Sequence, residues 1–381
     1  MRLAFVSHSL PPESRPLVNV GGMQRVAAEL LTSLQHSDGL LLHVVEMRVS
    51  WRWIHFKIIP FLFTTYLKLL KFVRTEQVDA ILFSSMVTGL LTIPLRKILE
   101  DHNVRSNVIV HGLDVTNPFR PYQSLVKKVF QNADAILPVS RAAGDACVDR
   151  GIDPRKIHVV HNGIDTARFR PPESREKRRS VLIETFRAET NVVNVDALST
   201  EAFILCSVGR HVRRKGFAWF VSEVMPLLPE HVHYWLAGNG PEYNRILAAI
   251  TKRRLEHRVH LLGMLSDTEL VALYQGADLF IMPNIPVPND MEGFGIVMLE
   301  AGLNGTPSVA ANIEGIPEVI RNGENGILVP AKDAPAFAGA ISKYIGDPEY
   351  LARASTSALA YTKNTFGWDT IVDRYVEACS P

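Results

Sequence analysis

Short apolar runs alternate with helical segments along most of this chain, and no other feature constrains its fold so tightly. Leu3–Ser7, Leu41–Val45, Asp79–Phe83, Val108–His111, Ala135–Val139 and Ile157–Val160 read as strands. A second series follows at Phe203–Val208, Val232–Ala237, Val259–Leu262, Asp278–Met282, Ser308–Ala310 and Gly326–Val329. Between them apolar residues fall at helical spacing, as at Met23, Val26, Leu30 and Leu34. Strands this short and this uniformly apolar suit parallel sheets covered by helices on both faces. The expected fold class is therefore α/β, with two doubly wound Rossmann-like domains and a cleft between them. Pro171-Pro172 and the charged run Glu173 to Arg179 break the pattern, and Ala188–Thr200 has little periodicity. This region reads as a linker with an irregular insertion, dividing residues 1–175 from 176–363. The last segments, Pro348–Thr362 and Phe366–Ala378, read as helices.

A chain of 381 residues is long enough for two cores, and its 47% hydrophobic and 21% charged content excludes a disordered chain. The three cysteines, Cys147, Cys206 and Cys379, form no CxxC pair, which disfavours a disulfide framework or a zinc cluster and suits a reducing cytoplasm. The opening MRLAFVSHSL is too short an apolar run for a secretory signal, and no stretch is apolar for the roughly 18 residues a membrane span needs. A cytoplasmic location is expected. Charge is unevenly shared: residues 1–175 carry 22 Lys and Arg against 15 Asp and Glu, and the remainder 19 against 24. The basic half suits an anionic surface or substrate, although solvated charge gives the same numbers. Nucleic acid is not expected as a partner.

The run Glu292-Gly293-Phe294-Gly295-Ile296-Val297-Met298-Leu299-Glu300 is the most suggestive stretch. Two carboxylates bracket a Gly-x-Gly turn that opens an apolar helix. Were the whole run helical, they would stand roughly 12 Å apart at about 1.5 Å rise per residue, a span suited to one long hydroxyl-rich ligand. Glycine lets backbone amides approach such a ligand closely. The alternative is an ordinary strand–loop–helix with solvated Glu residues.

A second candidate is Gly209-Arg210-His211-Val212-Arg213-Arg214-Lys215-Gly216, where four cations fall within six residues after a strand. Arg210 at the strand's carboxyl end and Lys215 at the entry to the next helix make a plausible diphosphate clamp; a basic surface turn is the plain alternative. There is no GxxxxGK[ST] sequence, so a P-loop nucleotidase is disfavoured. Gly238-Asn239-Gly240-Pro241 ends another strand at the same edge and reads as a tight turn. Gly21-Gly22 in the first half and His111, at the mouth of its strand, are further candidates for ligand contact. Trp51 to Arg74 mixes Trp, Phe, Ile and Leu with Arg52, Lys57, Lys68, Lys71 and Arg74. Pro60 is expected to interrupt it, leaving a clean helix at Leu62–Arg74 that covers the sheet with its charges in solvent; its basic, aromatic character leaves a peripheral contact with a membrane open.

Taken together, these motifs resemble the retaining nucleotide-sugar glycosyltransferases of the GT-B fold, the "glycosyl transferases group 1" or family 4-like enzymes. The resemblance is carried by Gly21-Gly22, His111, Ser140-Arg141, Asn162-Gly163-Ile164-Asp165, Gly209-Arg210 with Lys215-Gly216, the Glu292–Glu300 run, Ala301–Pro307 and Gly315-Ile316-Pro317-Glu318. It implies a first domain on the acceptor side, a second holding the donor, and a helix across 364–381, begun by Phe366-Gly367-Trp368, that returns to the first. By the same resemblance Arg210 and Lys215 would hold the donor diphosphate, with Gly209 beside them. Glu292, with the backbone of Gly293, Phe294, Gly295 and Ile296, would bind the transferred sugar, and Glu300 the ribose. His111 would meet the sugar near its reacting face, and Gly21 and Gly22 the phosphates. The base would rest by Leu262, Gly263 and Met264.

The reaction so implied moves a hexosyl unit from a nucleoside-diphosphate sugar to a hydroxyl acceptor, such as a lipid-linked sugar or cell-envelope glycan, with retention. No DxD-type pair is present, so no metal and no cofactor beyond the donor is expected. A sugar-nucleotide epimerase of the same fold and a non-catalytic partner subunit are the alternatives.

Overall fold

The computed structural model describes residues 1–12, 21–49, 53–167, 174–187, 198 and 201–380. Residues 13–20, Trp51 and Arg52, residues 171–173 of the expected linker and, save Leu198, the insertion expected across 188–200 lie outside the described residues. Two compact units result. The first comprises Met1–Asp165, Asn289–Phe294 and Phe366–Pro381; the second comprises Thr166–Pro288 and Gly295–Thr365. The division thus falls before Thr166 rather than after residue 175, and residues 289–294 go with the first unit, which no feature of composition signalled.

In the first unit β1 (Arg2–Leu10), β2 (Leu41–Arg48), β3 (Ala80–Phe83), β4 (Arg105–Val110) and β5 (Ala135–Pro138) form a sheet in the order β2-β1-β3-β4-β5. Every pairing is parallel. β3 and β5 are buried along their whole length, so their residues pack against helices on both faces and need no polar alternation. Ile157–Val160 is not a full strand. It meets β5 through one bridge and two backbone bonds, from His158 to Ile136 and from Val160 to Pro138, each 3.0 Å. The core gathers Val6, Ile81, Phe83, Val108, Val129 and Phe130.

The break expected at Pro60 is absent. The helix Ile54–Lys71 continues through Pro60 without a break, then widens into a short π turn at Phe72–Glu76. Proline removes only its own bond to the carbonyl of Phe56, and both residues face solvent, where water satisfies that oxygen. Two of the stretches that carry the resemblance have structural partners here. Ser140 caps the helix Arg141–Val148 by accepting from the Ala143 amide at 3.1 Å. At Asn162–Asp165 the chain receives the last helix, Trp368–Cys379: Ile164 donates to the Phe366 carbonyl at 2.8 Å, and the Trp368 indole donates to Glu29 at 2.8 Å.

In the second unit β6 (Phe203–Val208), β7 (Val232–Ala237), β8 (Val259–Gly263), β9 (Leu279–Met282), β10 (Ser308–Ala311) and β11 (Gly326–Val329) form an all-parallel sheet ordered β11-β10-β9-β6-β7-β8. Its core includes Phe220, Tyr234, Leu205, Ile281, Val309 and Phe337. The charged run expected as linker is the start of a helix, Arg175–Arg187. Leu182 and Phe186 bury its inner face. Buried Asp278 binds Arg175 and Arg179 at 2.7 and 2.6 Å and also accepts from the Ile204 amide at 2.7 Å. A carboxylate so deep needs such partners, because a lone buried charge is strongly disfavoured.

Candidate functional site

Strand order decides where each sheet can take a ligand. In the second unit the chain winds outward from β6 in one direction through β7 and β8, and in the other through β9, β10 and β11. Loops leaving β6 and β9 therefore diverge at their carboxyl ends and open a crevice. The first sheet has the other common doubly wound order, with its reversal between β1 and β3. The candidate residues cluster at both points.

After β6 the backbone passes Gly209, Arg210 and His211, then makes a tight 3-10 turn at Arg213–Lys215. Arg210 is exposed, whereas Lys215 is only 6% exposed. The Lys215 ammonium lies 3.9 Å from the Met282 sulfur at the end of β9, so its aliphatic stem crosses the gap between the two diverging strands. Gly238, after β7, packs so closely that a Cβ there would fall 2.0 Å from the Gly209 carbonyl. Gly238 also donates to the Gly263 carbonyl at 2.6 Å. These contacts bring Gly209, Lys215 and Gly263 onto one edge of the sheet; Met264, next in the chain, is 60% exposed. His211 is buried between Phe217 and Tyr243, and burial pushes its pKa down to about 4, so it does not add to the charge of the turn.

The Glu292–Glu300 run is not one helix. Gly295 adopts a left-handed conformation (φ 90°, ψ 56°), and the helix begins only at Ile296, ending at Leu303. Glu292, Gly293 and Phe294 belong to the first unit, and Glu300 to the second, so the roughly 12 Å helical spacing does not apply. Glu300 is 3% exposed and accepts from the Tyr274 hydroxyl at 2.7 Å. Tyr274 was not anticipated: it lies on the helix Asp267–Gly276, and in the sequence it reads as one more core aromatic.

In the first unit the structure brings Gly293 onto His111. A Cβ at Gly293 would fall 2.0 Å from the His111 carbonyl, and one at Gly112 would fall 3.1 Å from the Gly293 Cα. Phe294 rests on His161 and Phe366, with ring centroids 5.5 and 5.8 Å away. His111 is fixed twice: its amide donates to Asp114 at 2.9 Å, and its Nε2 lies 3.0 Å from the Ser84 carbonyl. A carbonyl only accepts, so Nε2 carries the proton and Nδ1 keeps its lone pair in the neutral ring. Burial raises the Asp114 pKa against the opposing pull of His111. His8 on β1 lies 3.3 Å from the Ser85 hydroxyl, and burial with help from His111 lowers its pKa to about 4. The sequence reading missed His8 and Ser85, since only the order β2-β1-β3 shows that β1 and β3 end side by side. Gly21 precedes the helix Gly22–Gln35 and donates to Gln24 at 3.2 Å; both glycines are exposed. Among the described residues no group of three or more His, Cys, Asp or Glu is arranged to hold a metal ion.

Residues 202–347 match the family described as "Glycosyl transferases group 1", and residues 20–168 match "Glycosyltransferase Family 4". The putative colanic acid biosynthesis glycosyltransferase WcaL of Salmonella typhimurium is 28% identical over 241 residues, 62% of this chain and 54% of that protein. The lipopolysaccharide core biosynthesis glycosyltransferase LpsE of Rhizobium meliloti is 31% identical over 205 residues, 53% of this chain and 58% of that one. The chain thus spans about half the length of the curated relatives it matches. Among solved structures, Anabaena HepE in complex with UDP superposes with a TM-score of 0.71 at 19% identity, covering 99% of both chains. That likeness is one of fold: two Rossmann-like domains in the GT-B arrangement of strands and helices.

Proposed function

This chain belongs to the group 1 glycosyltransferases of the GT-B fold, and on that premise we propose that it transfers a hexosyl unit from a nucleoside-diphosphate sugar to a hydroxyl acceptor with retention of configuration. Arg210 and Lys215 take the diphosphate. Glu300, its carboxylate held by Tyr274, takes the ribose hydroxyls, and the base rests by Gly263 and Met264. Glu292 and the backbone of Gly293, Phe294, Gly295 and Ile296 bind the sugar; His111 meets its reacting face, and Gly21 and Gly22 serve the phosphates. The observation that carries this reading is Lys215: a nearly buried ammonium at the carboxyl edge where β6 and β9 diverge suits a polyanion with neutral parts on either side.

Front-face transfer fits these residues. The acceptor oxygen bonds to the anomeric carbon as the bond to the diphosphate breaks on the same face, and the departing phosphate oxygen takes the acceptor proton. Arg210 and Lys215 then stabilise the negative charge that grows on the leaving group, without a divalent metal. The acceptor is proposed to be a lipid-linked sugar or cell-envelope glycan; the names of WcaL, for colanic acid biosynthesis, and LpsE, for lipopolysaccharide core biosynthesis, support that class.

The test is a panel of UDP-, GDP- and ADP-sugars, with UDP-sugars first because of the HepE complex. Slow release of nucleoside diphosphate from one of them, unaffected by EDTA, is expected. Loss of turnover in EDTA with recovery in magnesium or manganese overturns the metal-free clamp. Conversion of the donor to an epimer without acceptor, seen by NMR, overturns the transferase reading.

A further inference from the structure

We propose that the outward face of the helix Ile54–Lys71 docks the first unit onto an anionic lipid bilayer. The inward face is already committed: Ile54, Thr65 and Leu69 are buried, and Phe61, Leu62 and Tyr66 pack partly against the core of the first sheet. The opposite side carries a second apolar row. Phe56 and Ile59 are each 75% exposed, Phe63 64% and Leu67 49%, with Trp53 at 58% just before the first turn. At about 100° per residue these four helical positions fall within about 80° of one another, forming one continuous stripe rather than scattered surface residues. Trp53 stands against Phe56, with ring centroids 6.1 Å apart, so it extends the same row.

Beside this stripe runs a cationic one. Lys57, Lys68 and Lys71 are exposed and lie within about 60° of each other around the axis; Arg74 follows in the π turn, also exposed. From Trp53 to Thr75 there is no Asp or Glu. Charge decides between occupants. A second copy presenting the same helix brings more lysine and no acidic partner for it, whereas an anionic headgroup layer pairs with the lysines while the acyl boundary takes Phe56, Ile59, Phe63 and Leu67. No helix among the described residues is long and apolar enough to cross a membrane, so this one lies in the plane of the interface. The proposal does not depend on the donor chemistry, since vesicle binding is read without any sugar nucleotide.

The full chain should co-sediment with vesicles of phosphatidylcholine mixed with phosphatidylglycerol, and far less with phosphatidylcholine alone. Lys57→Gln, Lys68→Gln and Lys71→Gln together should weaken anionic-vesicle binding about 100-fold, at about fivefold per charge. Phe56→Ser, Ile59→Ser and Phe63→Ser together should abolish it at low and high salt alike. All six side chains are exposed, so thermal melting should stay that of the parent chain. Equal binding to both vesicle types, or full binding by either triple variant, overturns the proposal. So does self-association without vesicles that the same substitutions remove, because the stripe would then serve a second copy.

Discussion

Gly293→Ala is the sharpest perturbation of the first unit. A methyl group there would sit 2.0 Å from the His111 carbonyl oxygen, where ordinary contact needs 3.4–4 Å. The backbone must therefore part by about 1.4 Å, and neither side can relieve the clash by changing a rotamer, because the opposing atom is itself main chain. Overpacking of this kind typically costs about 1–3 kcal/mol, and a rigid neighbour puts Gly293→Ala at the upper end, about 3 kcal/mol. For a unit of this size that corresponds to a melting temperature lower by roughly 6–12 °C. Residues 289–294 have one other way out: they lift from His111 as a segment, which spares the melting temperature but displaces Glu292. Calorimetry and donor hydrolysis on the same preparation read both routes. Gly21→Ala is the control, since nothing lies within 4 Å of its Cβ position and its φ is −66°; it should melt within about 1 kcal/mol of the parent chain. A Gly293→Ala protein that melts and hydrolyses donor like the parent would refute the close approach of these two strands of backbone.

Removing either cation of the turn should slow transfer with the fold intact: Lys215→Ala and Arg210→Ala are each expected to lower the rate about 10²–10³-fold, and parental turnover in either rejects the clamp. Glu300→Ala should weaken binding of the free nucleotide in calorimetry more than Glu292→Ala does, with Tyr274→Phe intermediate; equal losses for the two Glu variants undo the division of labour. Stability should fall as pH drops from about 6.5 towards 4. His8, His211, His233 and His260 have folded pKa values lowered to about 4, so in that window the unfolded chain binds more protons than the folded one, and stability rises with pH. Urea midpoints measured across that range, flat in the parent chain, would show that these rings are not held neutral.

Strands were readable because burial on both faces leaves continuous apolar runs, a one-dimensional signal that survives without any knowledge of neighbours. Edge positions were less so: Ile157–Val160 has the composition of a strand but meets a partner on one side only, through a single bridge. Pro60 misled because its rule concerns one hydrogen bond, and the structure puts the lost bond on the wet side of the helix. Long-range pairings left no trace in the sequence. Asp278 and Arg179 stand nearly a hundred positions apart, as do His8 and Ser85 by nearly eighty, and no local pattern marks one for the other. Spacing within the Glu292–Glu300 run was legible, but its meaning depended on the conformation of Gly295, which a period of 3.6 cannot report.

The first unit is assembled from pieces made at very different times. Residues 1–165 leave the ribosome first, yet the helix Trp368–Cys379, whose Trp368, Ile371, Val372 and Tyr375 are buried, arrives some two hundred residues later. At about 5–20 residues per second the wait is about 10–40 s. Throughout that interval the nascent N-terminal body displays a bare apolar seam that only the tail can seal, while the intervening unit is free to fold on its own. Premature termination between Glu300 and Phe366 would leave the seam permanently open, so a truncated product should be recognised by holdase chaperones and proteases even though it holds every candidate site residue.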